Sequence, residues 1–250
     1  MSNRFDALWL SASPSLRCFN RPLQQFLVKH TNIVEWQYFQ DLDEGSCVFK
    51  AVSLLEDYLE ACDRPLHLIG HGISGAIGLL YARLHPQKVQ TLTLLSVAAQ
   101  PAITWHSHYY VQRHLSPCSR QQVLAQTVRN LFGSRPPYSV KALVNALDKD
   151  LEQSPCLQSL FHPVDLPKGG VSMPLMICGS QTDTVVDPMA LHQWLSWLKP
   201  NDVLWECPEG RHFFQYFYPQ LVGEQILKFW ESSDSALSVS LTQIENVKTH

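Results

Sequence analysis

Several features are missing from this sequence of 250 residues. No run approaches the roughly 18 consecutive apolar residues that a membrane-spanning helix requires, and the first residues, MSNRFDALWLSASPS, lack the layout of a signal peptide. The net charge is only −3 and charged residues make up 16% of the chain, so no electrostatic footprint for nucleic acid or anionic lipid is present. We therefore expect a cytoplasmic protein with no membrane span and no nucleic-acid partner.

Paired cysteines are missing as well. The sequence has seven cysteines, an odd number, and they stand singly at positions 18, 47, 62, 118, 156, 178 and 207. Without a CxxC pair, neither a disulfide framework nor a zinc site is indicated. We expect reduced thiols and no cofactor.

Short apolar runs alternate with amphipathic stretches, a pattern typical of an α/β fold with a mostly parallel sheet. The 45% hydrophobic content of a chain this long is enough for one substantial core. Strands are predicted at 5–12, 32–39, 65–71, 89–98, 173–179 and 202–208. Helices are predicted between them at 21–30, 48–62, 74–85 and 188–199, with a last one at 219–230.

The pattern changes between residues 100 and 168, where strand-like runs disappear. Three helical segments follow there, near 104–115, 119–132 and 139–153. This arrangement predicts a helical cap inserted into a core formed by residues 1–99 and 169–231, with Trp105 and Tyr109 packed over a pocket. The polar residues 232–250 are predicted to form a flexible C-terminal tail.

Three stretches in this order resemble the α/β-hydrolase superfamily. LIGHGISGA resembles its nucleophile elbow, MPLMICGSQTDTVVDP its acid loop, and CPEGRHFFQYFYPQLVGEQILKFW its histidine loop and last helix. The resemblance covers residues 5–231 and implies that His212 is the general base. It also implies Asp183 as the acid that orients this histidine, with Asp187 as a substitute.

The elbow departs from the superfamily at its central residue. Where the pattern G-x-S-x-G has the nucleophilic serine, this chain has Gly72, which keeps the turn but removes the nucleophile. A frame shifted by two residues, G-x-S-x-A, would make Ser74 the nucleophile instead. The alternative for Ser74 is a structural role at the start of the following helix, where a hydroxyl can accept a backbone N–H.

The loop after the first strand departs too. It reads LSASPS, whereas the superfamily has His-Gly there as part of the oxyanion hole. Backbone N–H groups near Ala12 or Ser13 could still contribute, together with the N–H of Ile73. Pro14, however, stiffens a loop that usually contains glycine.

A metal site is not indicated by the histidines of the segment TWHSHYYVQRH. His106, His108 and His114 do not all share one helical face, and no carboxylate lies within the segment. We therefore expect no metal.

Three functions remain open. The first is an α/β-hydrolase-like protein without catalysis that binds a small apolar ligand or a protein partner, similar to the N-myc downstream-regulated proteins, as an assembly or regulatory factor. The second is a serine esterase or acyl hydrolase that uses Ser74, His212 and Asp183. The third is a non-hydrolytic enzyme in which His212 and Asp183 act as acid and base.

Overall fold

A computed structural model gives the fold of the chain. It describes residues 5–39, 47–155, 157 and 168–248. Its strands are β1 (Ala7–Ser11), β2 (Ile33–Gln37), β3 (Leu66–His71), β4 (Val89–Leu95), β5 (Leu175–Ser180) and β6 (Val203–Cys207). They form one sheet in the order β2-β1-β3-β4-β5-β6, and every neighbouring pair is parallel. The α/β prediction and its strands are confirmed.

Helices cover both faces of the sheet. They are α1 (Arg21–Leu27), α2 (Val48–Glu60), α3 (Ile73–Leu84), α4 (Trp105–Leu115), α5 (Arg120–Phe132), α6 (Val140–Gln153), α7 (Pro188–His192), α8 (Phe214–Phe217) and α9 (Pro219–Lys248). Short 3-10 segments occur at Pro14–Phe19, Pro86–Lys88, Gln193–Ser196 and Arg211–Phe213. Parallel strands buried on both faces in this way read as largely apolar runs, as β1 does here.

Alternate residues of each strand enter two different cores. On β1, Leu8 and Leu10 belong to the core that faces α2, α3 and the inserted helices. Ala7 and Trp9 point to the opposite face and pack with residues of α1 and α9. The two-residue repeat of a strand thus explains why every residue of β1 is buried.

Three helices, α4 to α6, lie between β4 and β5 in the chain, and we call them the inserted helices. A hydroxyl side chain just before each helix accepts a backbone N–H of the first turn. These N-cap residues are Thr104, Ser119 and Ser139. Helix α6 packs against the segment Pro14–Phe19, and α5 packs against Arg211–Phe213. They therefore lie over the loops that follow β1 and β6.

The tail predicted from residue 232 is helical as far as Lys248, because α9 continues through it. No glycine or proline follows Gly223, so nothing in the sequence breaks the helix. The hydroxyls of Ser232 and Ser233 bond to carbonyl groups four residues earlier, which satisfies them within the helix. Over the described ranges, no helix is both long and apolar enough to cross a bilayer.

Candidate functional site

The elbow turn keeps its shape at Gly72, between the end of β3 and the start of α3. Its backbone has φ +53° and ψ −122°, a conformation that residues with a side chain rarely adopt. The Gly72 N–H donates to the carbonyl of Leu95 at 2.9 Å, which ties the turn to β4. The apex of the elbow is therefore present without the side chain that would make it a nucleophile.

Gly75 lets helix α3 start directly against the sheet. A Cβ atom at this position would lie 2.5 Å from a methyl carbon of Val97 and 2.7 Å from the carbonyl oxygen of Gly70. Neither distance is compatible with a side chain. The close approach explains why a glycine stands here, and it fixes the first turn of α3 against β3.

His212 and Asp183 meet as the sequence order predicts. The Nδ1–H of His212 donates to Asp183 Oδ2 at 2.9 Å, and both side chains are buried. Burial by itself raises the pKa of the Asp183 carboxyl. The nearby His212 and the N–H groups of Val185 and Val186 together lower this pKa by more, so the net shift is downward. The carboxylate form of Asp183 therefore orients the imidazole.

The free nitrogen of this imidazole faces the apex. A Cβ atom built on Gly72 would lie 3.9 Å from His212 Nε2, and among the described residues no other atom outside Gly72 and its chain neighbours lies within 4 Å of it. A serine hydroxyl at that position would be within hydrogen-bond reach of the imidazole. An imidazole that is bonded to a carboxylate thus faces the glycine at the apex of the turn.

Ser74 lies on the first turn of α3, with only 3% of its surface exposed. Its Oγ accepts the N–H of Ala12 at 2.9 Å. Among the described residues, Ala12 is the hydrogen-bond partner of the Ser74 side chain, and His212 is not. Ser74 therefore connects the elbow to the loop after β1, and it occupies an N–H that the sequence analysis assigned to the oxyanion hole.

Two polar residues that the sequence analysis missed hold the histidine loop. The His71 Nε2–H and the Ser96 hydroxyl both donate to the backbone carbonyl of His212, each at 2.9 Å. Ser96 adopts a positive φ of 49° to do so. Burial, followed by the nearby His212, lowers the pKa of His71 to about 3, so its ring is neutral. The sequence signal that could have identified His71 and Ser96 is a polar residue at the carboxyl end of each central strand.

A second buried histidine–aspartate pair joins the inserted helices to the loop after β1. His106 Nε2 lies 3.0 Å from Asp150 Oδ2, and Asp150 has no exposed surface. The hydroxyls of Ser15 and Ser154 donate to the other carboxylate oxygen, and Ser154 also contacts the Ser13 hydroxyl at 3.3 Å. Ser13 thus takes part through its side chain, in a network that positions α4 and α6.

The other predicted residues separate in the structure. Trp105 lines the cavity above the apex, but Tyr109, one turn further along α4, does not, and its ring packs on Tyr110 instead. The side chain of His108 is exposed, but partial desolvation lowers its pKa, and the nearby His212 lowers it further. Asp187 is not the acid, because its side chain caps α7 by accepting the N–H of Ala190 at 2.8 Å.

Metal-binding geometry is also absent from the described ranges. No three His, Cys, Asp or Glu side chains among these residues come together as a set of ligands. The buried pair of His106 and Asp150 brings together only two side chains of these types. The site is therefore best described by its hydrogen-bond donors and acceptors.

The cavity at the apex is small. Its volume is about 30 Å³, which is room for about two water molecules. Its floor is the elbow with His212, and its roof is the start of α4 with Ile103 and Trp105. The described conformation therefore encloses only a small polar group, and any longer molecule would have to extend out of the cavity.

Comparisons with known proteins agree with this architecture. No protein-family model matches the chain. It is 54% identical to "Uncharacterized protein alr2406" of Nostoc sp. over 92% of both chains. It is also 39% identical to "Uncharacterized protein sll0249" of Synechocystis sp., over 95% of this chain and 94% of that protein.

Solved structures show the fold. The naproxen esterase (carboxylesterase NP) of Bacillus subtilis superposes with a TM-score of 0.66 at 13% identity, over 92% of this chain and 85% of the esterase. The alpha/beta hydrolase fold protein of Chitinophaga pinensis gives a TM-score of 0.62 at 14% identity, over 93% and 91% of the two chains. The chain belongs to the family of the Nostoc and Synechocystis proteins, and it has the α/β-hydrolase fold.

Proposed function

We propose that this protein binds a small ligand in the site of an α/β-hydrolase without forming an acyl-enzyme, as a binding or regulatory factor. The observation that carries the proposal is the position of Gly72 opposite His212 Nε2. Covalent hydrolysis requires a nucleophile within hydrogen-bond reach of the base, and glycine supplies no side-chain oxygen. The naproxen esterase has the same fold at 13% identity, which supports the fold and not its activity.

Ser74 is a poor substitute for the missing nucleophile. Its oxygen is bound to the Ala12 N–H and it is almost fully buried on the first turn of α3. To attack a substrate it would have to leave this hydrogen bond and move toward His212. The Ala12 N–H would then lose its partner inside the protein, which costs about 1–3 kcal/mol.

One observation favours a second candidate, an enzyme that transfers protons without a covalent intermediate. The Nδ1 atom of His212 is held by Asp183, while its Nε2 atom faces the cavity. An imidazole in this arrangement can act as a general base or acid toward a bound molecule. Loss of any turnover in His212→Ala, with ligand binding retained, would favour this candidate over the binding protein.

The experiment that tests the proposal is labelling with a serine-directed fluorophosphonate. Wild type and Ser74→Ala are expected to remain unlabelled, and Gly72→Ser is expected to react, because the base and the acid are already in place. Ester turnover by wild type is expected to equal the background rate. Labelling of wild type that disappears in Ser74→Ala would overturn the proposal and identify Ser74 as the nucleophile.

A further inference from the structure

The imidazole of His212 lines the apex cavity. His212 is 2% exposed, and among the described residues its Nε2 atom makes no hydrogen bond. The atom points to the space that a side chain at position 72 would occupy. The Asp183 carboxylate holds Nδ1, which leaves Nε2 to form the hydrogen bond with a ligand oxygen in the cavity.

Backbone N–H groups at the start of α3 also lie at the wall of the cavity. Helix α3 has 12 residues and begins at Ile73, and its N-cap residue Gly72 provides no side-chain cap. The first N–H groups of a helix have no partner within it, and they lie at the positive end of its dipole. The N–H of Ile73 is the first of these, at the wall of the cavity.

The Ser74 hydroxyl adds a donor. Its oxygen already accepts the N–H of Ala12, so its own hydrogen points away from Ala12. Ser74 also lines the cavity. The Ser74 hydroxyl can therefore donate to a ligand in place of the Ala12 N–H, which is bound to the Ser74 oxygen.

We propose that the emptied apex binds the carboxylate group of a short aliphatic acid. One carboxylate oxygen takes the place of the absent serine oxygen and accepts from His212 Nε2. The other oxygen faces the N–H of Ile73 and the hydroxyl of Ser74. This inference rests on the proposed function, because an acyl-enzyme would hold the same two oxygen positions with an ester, and removal of the serine side chain leaves them for a free acid.

The surroundings restrict the acid to a monoanion with a small apolar body. The lining combines apolar side chains, among them Leu16 and Val97, with polar ones such as Asn20. No lysine or arginine is among the described residues that line it, and His106, which also lines it, is bonded to Asp150. A second negative charge would remain uncompensated in a buried site, which disfavours phosphates and dicarboxylates.

The test is a titration of the full chain with sodium butyrate. The imidazole resonances of His212 in ¹H–¹⁵N NMR spectra are the readout. Butyramide has the same size without the charge, and sodium sulfate is an anion of a different shape. We expect saturable shifts of the His212 resonances with butyrate, and affinities for butyramide and sulfate lower by about tenfold or more. This comparison needs no variant.

Two variants sharpen the result. Gly72→Ala fills the position of the first carboxylate oxygen and is expected to weaken butyrate binding by about tenfold or more. Gly169→Ala is the matched control, since it also places a methyl group at a positive φ but meets no atom of the described residues within 4 Å. It is expected to bind butyrate as wild type does.

Equal affinity for butyrate and butyramide, or no saturable shift of His212, would overturn the carboxylate site. Undiminished binding by folded Gly72→Ala would overturn it as well. None of these results would affect the claim that no acyl-enzyme forms, which fails only if wild type reacts covalently. The two proposals can therefore fail separately.

Discussion

The hydroxyl of Ser74 accepts the amide N–H of Ala12 at 2.9 Å, across 62 residues of sequence. This hydrogen bond links the first turn of α3 to the loop after β1. It uses the serine that stands nearest the empty apex and the N–H that would help to stabilise an oxyanion. A single contact thus engages two groups that ester hydrolysis at this site would need.

Removal of the Ser74 hydroxyl is expected to destabilise the protein. In Ser74→Ala the buried Ala12 N–H loses its acceptor, and the free energy of unfolding should fall by about 1–3 kcal/mol. Urea denaturation measures the change. Ser232→Ala is the control, because the Ser232 hydroxyl bonds at an exposed place on α9, and a loss there equal to that of Ser74→Ala would show that the Ala12 contact adds nothing.

The same contact is expected to limit a restored nucleophile. In Gly72→Ser the oxyanion position still lacks the Ala12 N–H, whereas Gly72→Ser combined with Ser74→Gly releases it. Removal of one oxyanion donor typically costs about 100-fold or more in rate, so the double variant should react with a fluorophosphonate at least about tenfold faster. Equal rates for the two variants would contradict the role assigned to Ala12.

Asp150 is expected to be one of the most sensitive positions outside the apex. It has no exposed surface and accepts from Ser15, Ser154 and His106. Asp150→Ala should lower the free energy of unfolding by about 3–5 kcal/mol, because a buried, bonded partner is removed.

Asp148 on the same helix provides the control for that measurement. Its contact with Arg120 lies at the surface, where 45% of the arginine side chain is exposed. Surface ion pairs contribute about 0–1 kcal/mol, so Asp148→Ala should have a small effect in thermal or urea denaturation. Similar losses for Asp150→Ala and Asp148→Ala would mean that the buried network does not hold the inserted helices.

His71 is expected to make the protein less stable in acid. The ordinary pKa of 6.5 is lowered to about 3 in the fold, so below pH 6.5 the unfolded chain takes up a proton that the folded chain does not. This group should therefore reduce the free energy of unfolding by about 1–2 kcal/mol between pH 6.5 and pH 5. Urea denaturation at the two pH values measures it.

The variant His71→Gln keeps an amide that can donate to the His212 carbonyl but has no proton to take up. Its stability should fall less than that of wild type over the same pH range. The exposed His30→Gln is the control and should follow wild type. An identical pH dependence of wild type and His71→Gln would show that the buried ring does not resist protonation.

Sequence periodicity predicted the strands and helices well, because each needs only a local pattern. The three inserted helices begin within one or two residues of their predicted starts, since Thr104, Ser119 and Ser139 are capping residues. The continuation of α9 was missed for a physical reason. A polar composition predicts contact with water, and a helix satisfies that as well as an irregular tail does.

The site was predictable only in part. His212 and Asp183 follow from the order of the motifs, because the superfamily places them on loops at the same edge of the sheet. The contacts of Ser74 with Ala12 and of His106 with Asp150 join residues 62 and 44 positions apart, and no local pattern reports them. Sequence spacing also could not show that Tyr109 turns away from the cavity.

The most direct test of the emptied apex is the intact mass of wild type after incubation with p-nitrophenyl butyrate and a rapid acid quench. A chain without a nucleophile at the elbow forms no butyryl ester, so the account predicts an unchanged mass and release of p-nitrophenol at the background rate. A wild-type chain that gains one butyryl group, mapped by peptide analysis to Ser74, would contradict it.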